Sequence, residues 1–135
     1  MQASRTWAPP GGTLGRILEE TRRRLPSLEG AAERRPRSGP GAGESLSTAL
    51  QRETVAVIAE IKRRSPSKGT LNASIDAGTQ AAAFERGGAA AISVLTEPTF
   101  FDGTIDDLRA ARAAVKLPIL KKDFHVDVSQ LVEAR

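Results

Sequence analysis

Three short apolar segments, separated by stretches with helical periodicity, constrain the fold of this chain more than any other feature of its sequence. Their centres lie near residues 58, 92 and 120, so consecutive centres are roughly thirty residues apart. The middle segment, residues 89–95, is almost continuously apolar, which is typical of a strand buried on both faces. Strands that alternate with amphipathic helices at this spacing predict parallel βαβ units.

The stretches between the strands carry helix signals. Ser74 is predicted to cap the first of these helices, with Asp76 in its first turn. Thr104 and Asp107 have the spacing of a capping box at the start of the second helix. The apolar stripes at helical spacing are Ala77, Ala81 and Phe84 in the first helix, and Ile105, Leu108, Ala111 and Val115 in the second.

The loop after the first strand bears on the fold class. Residues 63–69 match neither the GxGxxG dinucleotide fingerprint nor a P-loop, which favours a (β/α) barrel over a Rossmann-type sheet. A complete (β/α)8 barrel takes about 250 residues, so the 135 residues of this chain would supply about three βα units. We therefore expect an α/β fold that is the N-terminal part of a TIM barrel, preceded by an extra N-terminal helix.

The N-terminal third is predicted to lie outside the barrel. Residues 1–12 include two prolines followed by two glycines and are expected to form a disordered lead-in. Leu14, Ile17 and Leu18 predict an extension helix over residues 13–25, begun by Thr13 and ended by Pro26. Residues 26–51 are rich in Arg, Gly and Pro and are expected to form a linker that ends in a short helix. The partial barrel then covers residues 52–135.

Charge and composition argue against several classes of protein. The net charge of +4 arises entirely in residues 1–52, which hold nine Arg against five Glu. Aromatic residues make up 4% of the chain and Tyr is absent, so few side chains could stack on bases and we expect no nucleic-acid partner. There is no Cys and a single His, His125, which argues against a metal site. No segment resembles a membrane span or a secretory signal, so we expect a cytoplasmic protein without a membrane partner.

Polar side chains follow all three predicted strands at the point where each strand ends. The carboxyl ends of barrel strands share one rim, where catalytic groups lie. A plainer interpretation also fits, because strand ends meet solvent and charged residues belong there. The residues are Glu60 and Lys62 after the first strand, Thr96 and Glu97 after the second, and Lys121, Lys122 and Asp123 after the third.

Alternation along the strands predicts which of these side chains share a face. Glu60 and Lys62 are two residues apart and should point the same way. If Leu120 points into the barrel, Lys122 does so as well, and its two neighbours in the sequence point outward. Two lysines from different strands would then enter one pocket with Glu60. Such a pocket suits an anionic substrate with carboxylate or phosphate groups, and one lysine could act as a general acid.

Two further features are open to more than one interpretation. Phe101 and Phe124, on the loops after the second and third strands, are candidates for an aromatic slot, although ordinary packing is the plainer explanation. Residues 65–69, Ser-Pro-Ser-Lys-Gly, could cradle a phosphate, but a lone short motif is weak evidence.

With these residues in view, the chain resembles the indole-3-glycerol phosphate synthase family of tryptophan biosynthesis. The resemblance runs from about residue 52 to residue 135, with the order and spacing of the family, and the predicted helix over residues 13–25 resembles the extra N-terminal helix of that family. Four blocks carry it: Ile-Ala-Glu-Ile-Lys-Arg-Arg-Ser-Pro-Ser-Lys-Gly at 58–69; Gly-Gly-Ala at 87–89 with Ala-Ile-Ser-Val-Leu-Thr-Glu at 91–97; Phe-Asp-Gly-Thr at 101–104 with Asp-Leu at 107–108; and Leu-Pro-Ile-Leu-Lys-Lys-Asp-Phe at 117–124.

The resemblance implies a carboxy-lyase that uses no cofactor. Family members close the indole ring of 1-(2-carboxyphenylamino)-1-deoxyribulose 5-phosphate, with loss of carbon dioxide and water. By this resemblance, Lys122 matches the general acid on the substrate's carbonyl oxygen, Lys62 the lysine that meets the substrate carboxylate, and Glu60 the acidic residue that orients it. The matched substrate-binding positions are Ser65, which lies in a mobile loop, Leu95, Phe101 and Phe124.

Some residues of the family pattern have no counterpart in this sequence. The second catalytic glutamate, an asparagine and most of the phosphate contacts lie on later strands of the family's barrel. We therefore expect the chain to be a fragment of a longer enzyme and to be inactive by itself. The expected partner is a small anionic phosphosugar substrate, with other tryptophan-pathway enzymes or a fusion domain as further candidates. The alternatives are a non-catalytic truncated barrel or interaction remnant, and another phosphosugar barrel enzyme.

Overall fold

The structure, a computed structural model, describes residues 8, 10–25 and 45–134. These residues belong to two compact units. One unit falls within Arg37–Asp123, and the other falls within Met1–Pro36 and Phe124–Arg135. Most of the predicted lead-in over residues 1–12 and of the predicted linker over residues 26–51 lies outside the described residues. The predicted division into domains therefore stays a prediction.

The larger unit is built around a parallel sheet of three strands, β1 (Ile58–Ile61), β4 (Ala91–Leu95) and β5 (Ile119–Lys122), in the order β1–β4–β5. A hairpin of two short antiparallel strands, β2 (Arg64–Ser65) and β3 (Gly69–Thr70), follows β1. The three predicted parallel strands are thus confirmed. The apolar pattern predicts a first strand from about Val55 to Ile61, whereas β1 begins at Ile58. Val55 is 87% exposed, and the residues before Ile58 do not join the core.

Two helices, α3 (Ala77–Arg86) and α5 (Ile105–Ala114), pack against each other and against one face of the sheet. Ile92 and Val94 are fully buried beneath them, and each contributes about 1.5–3 kcal/mol through burial of its side chain. The inner stripes of both helices carry alanines, whose small side chains let the helices approach the sheet closely. The predicted inner stripes are confirmed except at Ile105, which is not part of the core, and Phe84 and Leu108 are partly buried against it. The core consists of Ile61, Ala77, Ala81, Ile92, Val94, Ala111 and Val115.

The opposite face of the sheet, here called the open face, is less covered. Ile58 and Leu120 point to it and are 44% and 43% exposed. Because side chains alternate along a strand, Glu60 on β1 and Lys122 on β5 point to the same face as these two residues. The open face therefore carries Glu60 and Lys122, at the carboxyl ends of β1 and β5.

Side-chain caps fix where the helices of this unit begin. The predicted capping box at the start of α5 is confirmed: Thr104 Oγ1 accepts the Asp107 N–H, and the Asp107 carboxylate accepts the Thr104 N–H. The predicted cap of α3 is wrong by two residues. Asp76 Oδ1 accepts the Thr79 N–H at 2.7 Å, whereas the N–H of Ser74 donates to Asn72 in the preceding turn.

Two short helices complete the unit. The predicted helix near residues 45–51 is present as α2 (Leu46–Leu50), which packs against β4 and is capped by Ser45, whose Oγ accepts the Thr48 N–H. A single helical turn, α4 (Pro98–Phe101), follows β4, where the sequence predicts a loop. Its N-cap is Glu97, a residue type seldom found at that position, so the pattern gives little signal.

The second unit contains α1 (Gly12–Arg24) and α6 (Ser129–Glu133). A helix lies where the sequence predicts one over residues 13–25, but Gly11 rather than Thr13 is its N-cap, and no side chain caps it. Its identity as the extra N-terminal helix stays a prediction. Gln130 organises the start of α6: Oε1 accepts the N–H groups of Val126 and Asp127, and Nε2 donates to the Phe124 carbonyl. Among the described residues, the helices are too short or too polar to cross a membrane.

Candidate active site

Three strands bring their polar residues together on the open face. Strand pairing places Glu60 of β1 beside Ser93 of β4, and Leu95 of β4 beside Lys122 of β5. Lys62 follows β1 and, two residues beyond Glu60, points to the same face. The parallel register therefore places one carboxylate, one hydroxyl and two ammonium groups at the carboxyl end of the sheet.

Glu60 is the centre of this group. Its Oε1 accepts a hydrogen bond from Lys62 Nζ at 2.9 Å, and its Oε2 accepts one from Lys122 Nζ at 2.8 Å. Ser93 Oγ also donates to Oε2, at 3.2 Å. The predicted convergence of the two lysines on Glu60 is confirmed, while the roles of the three residues in catalysis stay predictions.

The protonation of Glu60 follows from its neighbours. Partial burial would raise the pKa of its carboxyl group, but the hydrogen bonds and charges of Lys122 and Lys62 outweigh burial and lower that pKa below its ordinary value. Glu60 is therefore ionised at neutral pH, so it holds ammonium groups and does not donate a proton. The Lys122 side chain is 52% exposed and that of Lys62 is 32% exposed, which leaves both accessible to an anionic ligand.

The neighbours of Lys122 point to the opposite face, as alternation predicts. Lys121 and Asp123 are almost completely buried, with Lys121 Nζ 3.4 Å from Asp123 Oδ2. Thr96 Oγ1 donates to the same Asp123 oxygen at 2.9 Å. These three residues also lie at strand ends, as does the buried capping residue Glu97. None of the four is among the described residues that donate hydrogen bonds to the Glu60 carboxylate, which are Lys62, Ser93 and Lys122. The prediction of one rim therefore holds for some of the polar strand ends and not for others.

The predicted substrate-binding residues fall into two groups. Ser65 and Leu95 are buried at the ends of β2 and β4, and α4, which ends at Phe101, packs against β2. Ser65 Oγ accepts the Lys68 N–H at 3.2 Å and closes the turn of the hairpin. Phe124 lies outside this unit, in the second unit with α6, where its carbonyl accepts a hydrogen bond from Gln130. Their contact with a substrate stays a prediction.

An ion pair that the sequence does not reveal fixes the loop after β1. The Arg63 guanidinium binds both oxygens of Asp107, with Nη1–Oδ2 at 2.6 Å and Nη2–Oδ1 at 2.7 Å. It also donates to the carbonyls of Ile75, at 2.7 Å, and Asp102, at 3.3 Å. In the sequence, the importance of Asp107 is indicated only by its position in a capping box. No sequence pattern links it to Arg63, which lies 44 positions earlier.

Both members of this pair have perturbed protonation equilibria. The hydrogen bonds that Arg63 donates to Asp107 raise the pKa of Arg63 above its ordinary value. Burial would raise the pKa of Asp107, but the hydrogen bonds from Arg63 and Thr104 lower it. The pair therefore stays ionised and holds the loop that carries Ser65 to the start of α5.

The arrangement suits chemistry on an anionic substrate. Two ammonium groups on one carboxylate can bind a carboxylate or phosphate, and either can donate a proton to a developing oxyanion. Within the described ranges, no group of three His, Cys, Asp or Glu side chains could hold a metal ion.

Comparison with known proteins agrees with this geometry. The family model described as indole-3-glycerol phosphate synthase matches residues 16–135. Proteins of that name are similar to the chain in Mycolicibacterium gilvum, at 49% identity over 82% of the chain and 39% of the relative, and in Methanopyrus kandleri, at 46% identity over 87% of the chain and 46% of the relative. A third, from Rhodopirellula baltica, is 54% identical over 62% of the chain and 32% of the relative. The chain thus spans less than half the length of these curated relatives, and it belongs to the indole-3-glycerol phosphate synthase family.

Proposed function

We propose that the chain contributes the first part of the active site of an indole-3-glycerol phosphate synthase. The reaction would be closure of the indole ring of 1-(2-carboxyphenylamino)-1-deoxyribulose 5-phosphate, with loss of carbon dioxide and water. The observation that carries this proposal is the pair of lysines on the Glu60 carboxylate, at the carboxyl end of a parallel sheet, in a chain of this family. The sheet would be the first three strands of a (β/α)8 barrel, and α1 would be the extra N-terminal helix.

Each residue of the charged group would have a separate role. Lys122, the more exposed lysine, would give its proton to the carbonyl oxygen of the substrate as the ring closes. Lys62 would bind the substrate carboxylate, which leaves as carbon dioxide. Glu60 would hold both ammonium groups in place, and Ser65, Leu95, Phe101 and Phe124 would bind the substrate. Three further statements stay predictions: that the protein is cytoplasmic, that it has no nucleic-acid or membrane partner, and that it has a fusion partner.

Activity can be tested in two proteins. One is the 135-residue chain; the other, here called the chimera, is this chain continued by the part of the Methanopyrus kandleri relative that lies beyond the aligned region. We expect indole fluorescence to develop with the chimera and not with the chain alone, because the family's second catalytic glutamate has no counterpart among these 135 residues. A non-catalytic remnant would give no turnover in either protein.

The role of Lys122 can be tested in the same chimera. We expect Lys122→Ala to lower kcat at least about 10²-fold, the low end for loss of a general acid. Lys116→Ala is the matched control, since Lys116 is exposed and precedes β5 at the opposite end of the sheet. Near-normal turnover of the Lys122 variant would remove this residue from the proposed role.

A further inference from the structure

Glu97 organises the loop after β4 from within the protein. It directly precedes α4, and its side chain is fully buried. Oε1 accepts the Thr99 N–H at 3.0 Å, while Oε2 accepts the N–H groups of Phe100 at 2.6 Å and Phe101 at 3.1 Å. The first N–H groups of a helix have no acceptor within the helix. One carboxyl group therefore supplies acceptors for three consecutive residues, the last of which is Phe101.

The short length of α4 makes this support necessary. A helix of four residues does not form by itself, because nucleation costs more than one turn of hydrogen bonds returns. Pro98 at its start fixes one backbone angle and needs no acceptor. The backbone position of Phe101 thus depends on the carboxyl group of Glu97.

The chain returns to Glu97 after the helix. Asp102 adopts the left-handed conformation, with φ of 54°, and the Gly103 N–H then donates to the Glu97 carbonyl at 3.0 Å. A Cβ atom on Gly103 would lie 2.1 Å from the Leu95 carbonyl oxygen, so only glycine fits there. The segment from Leu95 to Gly103 is consequently a closed turn that Glu97 holds by both its side chain and its backbone.

This turn connects two residues that the proposed function assigns to substrate binding, Leu95 and Phe101. We propose that Glu97 is a positioning residue: its buried carboxyl group fixes Phe101 relative to Leu95 and so shapes the surface that receives the aromatic ring of the substrate. The role rests on the proposed function, because it needs a substrate with such a ring. Glu97 itself does not touch the substrate, since its oxygens are buried and accept backbone N–H groups.

The first test measures the turn in the 135-residue chain. In Glu97→Gln one oxygen becomes an amide nitrogen, which cannot accept a backbone N–H. Thr99 donates to Oε1, and Phe100 and Phe101 donate to Oε2, so one of these two groups of donors loses its acceptor. We expect hydrogen exchange to become at least about tenfold faster at the amide of Thr99 or at the amides of Phe100 and Phe101, as for donors whose protecting bond is lost. Glu85→Gln is the matched control, because Glu85 Oε1 also accepts a backbone N–H, that of Lys116, away from α4. Unchanged exchange at all three amides, Thr99, Phe100 and Phe101, would overturn the proposal.

The second test asks whether Glu97 acts through Phe101, and it uses the chimera. We expect E97Q to raise KM about tenfold and to leave kcat within about twofold of the parent value. This is the result for a change that weakens binding of the substrate and of the transition state equally. Phe101→Ala should raise KM by a similar factor. The double variant should raise KM no more than the larger of the two single changes, because the free-energy effects of coupled residues are not additive. A variant that merely destabilised the fold would lower the melting temperature and leave KM unchanged. E97D, which keeps both oxygens, should raise KM less than E97Q and replaces it if E97Q does not fold.

The outcomes separate the two proposals. Turnover with a KM that responds to Phe101→Ala but not to E97Q would overturn the role of Glu97 and leave the proposed function intact. If the effects of E97Q and Phe101→Ala on KM multiply in the double variant, the two residues act independently. That result would also overturn the role of Glu97 and leave the proposed function intact. A chimera that forms no indole product would overturn both.

Discussion

Lys122 Nζ lies 2.8 Å from Glu60 Oε2, although 62 residues separate the two in the sequence. Lys62 occupies the other oxygen of the same carboxylate at 2.9 Å. The parallel register of β1, β4 and β5 brings the three groups together, and the open face leaves the ammonium groups accessible. A change in any one of the three groups should therefore alter the behaviour of the other two.

Removal of the shared carboxylate should impair turnover. In Glu60→Gln the two ammonium groups lose their common anion and repel each other, so we expect kcat of the chimera to fall about 10²-fold. The rate is measured by indole fluorescence. Glu53→Gln, an exposed change before β1, is the control and should leave kcat unchanged. Turnover of Glu60→Gln within about threefold of the parent rate would show that the carboxylate does not organise the lysines.

Ser93 should have a smaller effect on the same carboxylate. Its Oγ donates to Glu60 Oε2 at 3.2 Å, so Ser93→Ala frees one side of the oxygen that also binds Lys122. We expect kcat/KM to fall about tenfold, in line with a hydrogen bond to a charged group. Ser47→Ala, an exposed change in α2, is the control and should have no effect. An unaltered kcat/KM in Ser93→Ala would contradict this contribution.

The pair of Arg63 and Asp107 should contribute to stability. Asp107→Asn removes the charge partner of a guanidinium whose side chain is only 16% exposed, so we expect the free energy of unfolding to fall by about 2 kcal/mol. Urea unfolding of the chimera measures this. Asp106→Asn is the matched control, because its pair with Arg109 is exposed and such pairs contribute about 0–1 kcal/mol. Equal losses in the two variants would mean that burial of the Arg63 pair adds nothing.

The Asp107 carboxylate should make the free energy of unfolding depend on pH. The pKa of Asp107 is lowered on folding by Arg63 and Thr104, in spite of burial. Such a group stabilises the fold above its unfolded-state pKa and loses that contribution as the pH falls through its folded-state pKa. We expect the free energy of unfolding to decline below about pH 4, and Asp107→Asn to make that decline shallower. Urea titrations from neutral to acidic pH measure it, and parallel curves for the two proteins would contradict the assignment.

Local patterns predict part of this architecture. Apolar periodicity locates the three parallel strands and both inner helix stripes, and alternation places Lys62, Lys122 and Glu60 on one face. These features depend only on neighbouring residues and on the fixed geometry of strands and helices. The same reasoning places Lys121 on the opposite face.

Features that depend on tertiary contacts are not predictable in this way. Ser74 and Asp76 are both good N-cap residues, and no local pattern distinguishes Asp76, which caps α3, from Ser74. The bond of Arg63 to Asp107 joins residues 44 positions apart, and no local pattern connects them. Glu97 resembles a solvent-facing strand end in the sequence, whereas in the structure its side chain is fully buried and accepts three backbone N–H groups.

The pKa of the Glu60 carboxyl group tests the convergence of the two lysines most directly. It can be followed by NMR of ¹³C-labelled glutamate in the chimera, in Lys62→Met, in Lys122→Met and in Lys116→Met. The structure predicts that this pKa rises in both of the first two variants, because each removes a hydrogen bond and a positive charge that lower it, and that Lys116→Met leaves it unchanged. A Glu60 pKa that is the same in all four proteins would contradict a shared site for Lys62 and Lys122.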